Sequence, residues 1–203
     1  MAEDHSHSAI HGSGHRHDYL PAAGLDMLLP VYDLLTRVLG SARVYDALAT
    51  RPELTGARRV LEIGCGTGNL TLRVSKACPS AQLTGLDPDP RALGIARRKG
   101  GNVPRLNFEQ GYAQELPYAD GAFDRVLSSM MLHHLGDAAK ADAVAEVFRV
   151  LEPGGVFFVA DIRASDDAIT RLLHDAGFEH GAIGETRLRV FGPVVLHRGI
   201  RPA

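Results

Sequence analysis

The chain is expected to fold as a doubly wound α/β sheet in three layers, preceded by short helices. Three observations point there. The apolar run Val60-Leu61-Glu62-Ile63 ends in Gly64, Gly66 and Gly68, and an amphipathic segment follows. Strand-like runs and amphipathic segments then alternate as far as Gly177. The last two strand-like runs, 179–189 and 193–199, have no helix between them. Strand, glycine turn and helix form the ligand end of such a sheet. Two strands joined directly form an antiparallel hairpin.

Composition sets the bounds. The chain has 203 residues, 45% hydrophobic and 23% charged, enough for one domain with a sizeable core. Its net charge is −2 and it has no long basic run, so no phosphate-binding footprint is visible and no nucleic-acid partner is expected. Cys65 and Cys78 form neither a disulfide pattern nor a zinc pattern. No apolar run approaches membrane-spanning length, and Met1-Ala2-Glu3-Asp4 leads into no signal-like segment. A cytoplasmic protein without a membrane partner is therefore expected.

Taken in order, residues 1–18 hold His5, His7, His11, His15 and His17 among serines and glycines. They have no face to bury and are expected to be disordered. Their His-x-His pairs can hold a divalent metal only loosely, so no metal site is assigned. Residues 19–55 are expected to form a helical lid. Val31, Leu34, Leu35 and Val38 make one helical stripe in 25–40, with Pro30 suited to the first turn and Gly40 to the stop. Val44, Ala47 and Leu48 mark a second helix at 41–50.

The domain proper is expected over 56–203. Strands fall at 58–63, 81–87, 105–109, 123–129 and 156–160. Helices fall at 69–78, after Asp89-Pro90, at 138–151, and after Ser165 with Ile169, Leu172, Leu173 and Ala176 on one stripe. Asp89 suits an N-cap and Pro90 a first helical position. Glu152-Pro153-Gly154-Gly155 reads as the break between helix and strand.

Ligands of such sheets lie across the carboxyl ends of the strands. Asp87 ends the second strand about twenty residues after the glycine turn, placed to accept the hydroxyls of a ribose. The glycines alternate, unlike the G-x-G-x-x-G of dinucleotide sites. Glu62-x-Gly64-x-Gly66-x-Gly68 resembles the first motif of class I S-adenosylmethionine-dependent methyltransferases. The likeness extends to Leu86-Asp87, Gln114-Glu115-Leu116-Pro117 with Phe123-Asp124, and Leu151-Glu152-Pro153-Gly154-Gly155. Within that class, Val31-Tyr32-Asp33-Leu34-Leu35 is similar to a stretch of the quinone C-methyltransferases of ubiquinone and menaquinone synthesis.

The resemblance implies a Rossmann-like seven-stranded sheet of order 3-2-1-4-5-7-6 with an antiparallel last hairpin. It implies S-adenosylmethionine as cofactor and methyl transfer to a small-molecule acceptor, quinone-like or otherwise apolar. Glu62, Gly64, Cys65, Gly66 and Gly68 would hold the methionine end, Asp87 the ribose, and Pro88 the wall beside it. Tyr112 stands where the family usually has an aspartate for the adenine, so the phenol or the Ala113 backbone would serve there. Ser129, in the loop Ser128–Leu135, would lie beside the sulfonium. Tyr32 and Tyr19 would cover the cofactor as lid residues. Asp124 is a fold marker in the family and is given no chemical role.

A neutral imidazole suits proton removal near pH 7, which nominates His133, or its neighbour His134, as a base. Asp161 and Arg163 fall at the same sheet edge, for substrate contact or for a surface ion pair. With little chain inserted there, the pocket would take a small acceptor or be completed by a second copy in a homodimer. Two alternatives stay open: a non-catalytic S-adenosylmethionine-binding protein and an NAD-dependent oxidoreductase, the latter disfavoured by the glycine spacing.

Overall fold

The computed structural model describes residues 40–163, 166–189 and 192–203. The helix expected at 25–40, Tyr19, Tyr32, and the Ser165 cap lie outside the described residues. In chain order the elements are α1 (Ser41–Ala49), a 3-10 turn (Pro52–Leu54), β1 (Arg59–Ile63), α2 (Asn69–Ala77), β2 (Gln82–Asp87), α3 (Pro90–Gly100) and β3 (Leu106–Gln110). They continue as β4 (Phe123–Ser129), a 3-10 turn (Leu132–His134), α4 (Asp137–Val150), β5 (Leu151–Ile162), α5 (Asp166–Asp175), β6 (Glu179–Leu188) and β7 (Gly192–Ile200).

The seven strands form one sheet of order β3-β2-β1-β4-β5-β7-β6. The first five are parallel, and β7 runs antiparallel between β5 and β6. Side chains alternate across each strand. Val60 of β1 therefore joins Leu83, Leu127 and Phe158 on one face, under Val44 and Leu48 of α1 and Leu70 and Val74 of α2. Leu61 and Ile63 point the other way, with Val126, Phe157 and Val159, under Val144 and Val147 of α4 and Ile169 and Leu173 of α5. All of these side chains are buried.

Most boundaries follow from local chemistry. Asp89 accepts a hydrogen bond from the Arg91 amide at 2.8 Å and Pro90 opens α3, as a capped start requires. Gly177, at φ 92°, closes the segment after α5. Asp124 is 3% exposed; its carboxylate accepts the Arg58 amide at 2.8 Å and the Arg59 amide at 3.1 Å, which fixes the entry of β1. That is a structural task at the edge opposite the pocket.

β5 departs from expectation by starting at Leu151 rather than Val156. Glu152–Gly155 lie within the strand. Leu151 pairs with Phe123, the register shifts before Arg125, and Gly154 and Gly155 exchange backbone hydrogen bonds with Arg201. A bulge admits Pro153, whose missing N–H would break a regular central strand.

Candidate active site

The pocket lies at the carboxyl ends of β1, β2 and β4, where the topology places ligands. Its floor is the turn after β1. Gly64 and Gly66 have φ values of 68° and 52°, a left-handed conformation that suits glycine. The Cys65 amide donates to the Leu86 carbonyl at 3.0 Å, and the Gly68 amide to the Cys65 carbonyl at 2.8 Å, so the turn is locked onto β2. A Cβ built on Gly66 would meet nothing within 4 Å, which leaves open space directly above the backbone.

Two buried carboxylates face this space. Asp87 accepts the Gly66 amide at 2.7 Å on one oxygen and the Asp89 amide at 2.9 Å on the other. Each oxygen keeps acceptor capacity for a ligand hydroxyl. Burial raises the Asp87 carboxyl above its ordinary value, against the pull of those two amides. Glu62 takes hydrogen bonds from the Thr71 hydroxyl and amide. Burial, with the Asp87 charge adding a little, pushes it up to about 8. Neither has a lysine or arginine partner among the described residues.

Glu62, Gly64, Cys65, Gly66, Asp87, Pro88, Tyr112, Ala113 and Ser129 all line the one pocket. Burial pushes the Cys65 thiol up, so it acts as a small apolar wall. Tyr112 is 42% exposed at the rim. The Ser129 hydroxyl is buried without a hydrogen-bond partner among the described residues. Met130, just after it, is held at φ 56°, unusual for a side-chain-bearing residue, with its amide bonded to the Ala160 carbonyl at 2.8 Å.

Two of the expected residues sit elsewhere. Gly68 is not in the lining: at φ 77° it is the N-cap of α2, and a Cβ there would lie 2.8 Å from the Phe108 ring. Its lack of a side chain serves packing. His133 also turns away from the pocket. Its Nδ1 is 2.5 Å from Asp161, whose carboxylate is 0% exposed, and His134 lines the pocket in its place. Asp161 is thus buried behind the site, and Arg163 pairs with Glu185 at the surface. Tyr45 of α1 also reaches the lining, its ring 5.3 Å from the Arg73 guanidinium. No sequence signal marked it, because its position depends on how α1 packs against α2.

Exposed turn backbone, open space above Gly66, and two carboxylates without a lysine or arginine partner among the described residues offer acceptors for ammonium and hydroxyl groups. No group of three or more metal-ligating side chains occurs among the described residues.

The sheet order and flanking helices are a Rossmann-like architecture shared with solved methyltransferases. Residues 60–155 match the methyltransferase domain family. An uncharacterized methyltransferase of Synechocystis is 34% identical over 137 residues, covering 65% of this chain and 62% of that protein. The demethylmenaquinone methyltransferase of Chlorobaculum parvum is 33% identical over 143 residues, covering 67% and 57%. The chain therefore spans about three fifths of the length of these relatives. The N-methyltransferase NodS of Bradyrhizobium japonicum, solved with S-adenosyl-L-homocysteine, superposes with a TM-score of 0.70 at 19% identity, covering 79% of this chain and 87% of that one. No helix among the described residues is long and apolar enough to cross a membrane.

Proposed function

We propose that the protein is an S-adenosylmethionine-dependent methyltransferase acting on a small, largely apolar acceptor. The observation that carries this is the pair of buried carboxylates, Glu62 and Asp87, facing a side-chain-free turn without a cationic partner among the described residues. A buried carboxylate is costly unless something compensates it. A ligand bringing an ammonium group and two vicinal hydroxyls does so.

The bound cofactor supplies an electrophilic methyl group. The chain's own part is to bind, orient and exclude water. Asp87 accepts the ribose hydroxyls while the Gly66 and Asp89 amides hold it in place. Glu62 balances the amino-acid end. Met130, Met131 and Leu135 form an apolar wall where the acceptor enters. The acceptor is proposed to be quinone-like or a similar apolar metabolite, a choice supported by that wall and by the names of the relatives.

Calorimetric titration with S-adenosylmethionine, S-adenosylhomocysteine and NAD tests cofactor choice. Binding of the first two without NAD is expected; binding of NAD alone overturns the proposal. Incubation of small-molecule extracts with methyl-labelled cofactor should yield labelled product. Persistent absence of product across broad extracts, with binding intact, favours a binding protein without transferase activity.

A further inference from the structure

Tyr45 of α1 and Met130 of the loop after β4 both line the pocket, and neither is a carboxylate or glycine of the cofactor turn. Both pack against one buried cluster that includes Leu70, Phe158 and Ala160. One face of the Tyr45 ring carries the Arg73 guanidinium, 5.3 Å from the ring centroid. Arg73 is itself pinned: its Nε donates to Asp46 at 2.8 Å and a terminal nitrogen donates to the Asn69 carbonyl at 2.9 Å. A cation over one face draws electron density from the ring, so the opposite face suits an electron-rich partner ring.

Among the described residues Met130 is the one non-glycine at positive φ, 56°. Side chains are disfavoured there, and such positions persist where the surroundings impose them. The Met130 amide is tied to the Ala160 carbonyl at 2.8 Å, and Met131, next in the chain, is wedged over Gly64. Glycine would take this conformation freely, so the strain serves the side chain that reaches the pocket. A thioether is polarizable and makes favourable contacts with aromatic rings.

Building on the proposed function, we propose that Tyr45 and Met130 determine acceptor specificity, as two walls of a slot that takes a flat, electron-rich aromatic ring. The acceptor ring stacks on the Tyr45 face opposite Arg73 and meets the Met130 thioether. Contact on both sides fixes the plane of the ring before any chemistry begins. A saturated, puckered framework of the same outline loses both contacts.

The test uses the full chain saturated with S-adenosylhomocysteine and two probes of similar outline, each with one hydroxyl: 2-naphthol, which is flat and aromatic, and decahydro-2-naphthol, which is puckered. Calorimetric titration should show 2-naphthol binding about tenfold tighter, the combined scale of an aromatic pair and a sulfur–aromatic contact. Tyr45→Leu should bring the two affinities close together, and Tyr45→Phe should keep them apart. Met130→Ala should lower the ratio about threefold and serves if Tyr45→Leu folds poorly. Met130→Gly should melt above Met130→Ala, since only glycine is at ease at that φ. Equal binding of the two probes by wild type overturns the proposal, as does a preference that survives both Tyr45→Leu and Met130→Ala. So does failure of 2-naphthol to bind protein that holds S-adenosylhomocysteine. Melting in the reverse order overturns the role given to the Met130 backbone. Failure to hold S-adenosylhomocysteine overturns the proposed function and this inference with it.

Discussion

The Met131 side chain lies directly over the α-carbon of Gly64: a Cβ built on Gly64 would fall 2.3 Å from Met131 Cγ and 2.8 Å from its Cβ. The turn after β1 and the loop after β4 are thereby packed into each other, and together they form one wall of the pocket. Gly64→Ala must displace Met131 and also place a Cβ at φ 68°. The expected outcome is a loss of about 1–3 kcal/mol of stability, the usual scale of overpacking. Weaker binding of S-adenosylhomocysteine should accompany it. Urea denaturation and calorimetry check both.

Asp87→Ala should weaken S-adenosylhomocysteine binding by about 1.5–3 kcal/mol, the scale of hydrogen bonds to a charged group. Unchanged affinity would remove the ribose assignment. The Gly66 and Asp89 amides also lose their acceptor, so a melt of the free protein should accompany the titration.

Glu62 sets a pH dependence with a definite sign. Its carboxyl sits near 8 in the folded chain against an ordinary value near 4.5, so the folded state holds a proton that the unfolded state releases. Its contribution makes the free protein less stable as pH rises from about 4.5 to about 8. Binding an ammonium-bearing ligand favours the ionised form and expels the proton. S-adenosylhomocysteine affinity should therefore rise with pH over the upper part of that range. Thermal melts and calorimetry in buffers of different ionisation enthalpy measure the two trends. Glu62→Gln should flatten both, and a flat wild-type profile would reject the assignment.

His197 acts in the opposite direction. It is 1% exposed on β7, and its Nε2 is 3.1 Å from Asp166 without hydrogen-bond alignment. Burial lowers its value below the ordinary 6.5, with His180 adding to that and Asp166 and Asp161 opposing it. The unfolded chain thus takes up a proton first as pH falls. The contribution of His197 is intact above about 6.5 and is lost as pH drops through that point. Denaturation midpoints between neutral and mildly acid pH should show the loss, and His197→Phe should reduce it.

Asp124→Ala tests a purely structural carboxylate. It leaves the Arg58 and Arg59 amides without their acceptor at the entry of β1. A loss of about 1–3 kcal/mol is expected, the cost of unsatisfied partners. Affinity for S-adenosylhomocysteine should hold, since the residue lies outside the pocket lining.

The strands were legible where apolar runs end in turn residues: β4 starts at Phe123 and ends at Ser129, as read from the sequence. Strand order came with the family resemblance, and the observed sheet agrees with it. The beginning of β5 was hidden because proline and paired glycines signal a break, whereas Arg201, some fifty residues later, supplies their partner. At the pocket, Gly66 and Asp87 stood out through spacing alone. His133 and His134 could not be told apart by sequence, since successive residues of a 3-10 turn point about 120° apart and either can face the ligand. Gly68 looked like its neighbours, but its reason is the Phe108 ring brought in from β3.

The antiparallel strand β7 sits inside the sheet although it is made after the edge strand β6. On the ribosome, β5 must wait with one side open until some thirty further residues have emerged. That side carries Val156–Ala160, all buried in the finished molecule, and an open apolar edge invites pairing with other chains. Crowded expression and removal of 192–200 should therefore produce aggregates before they produce any loss specific to the pocket.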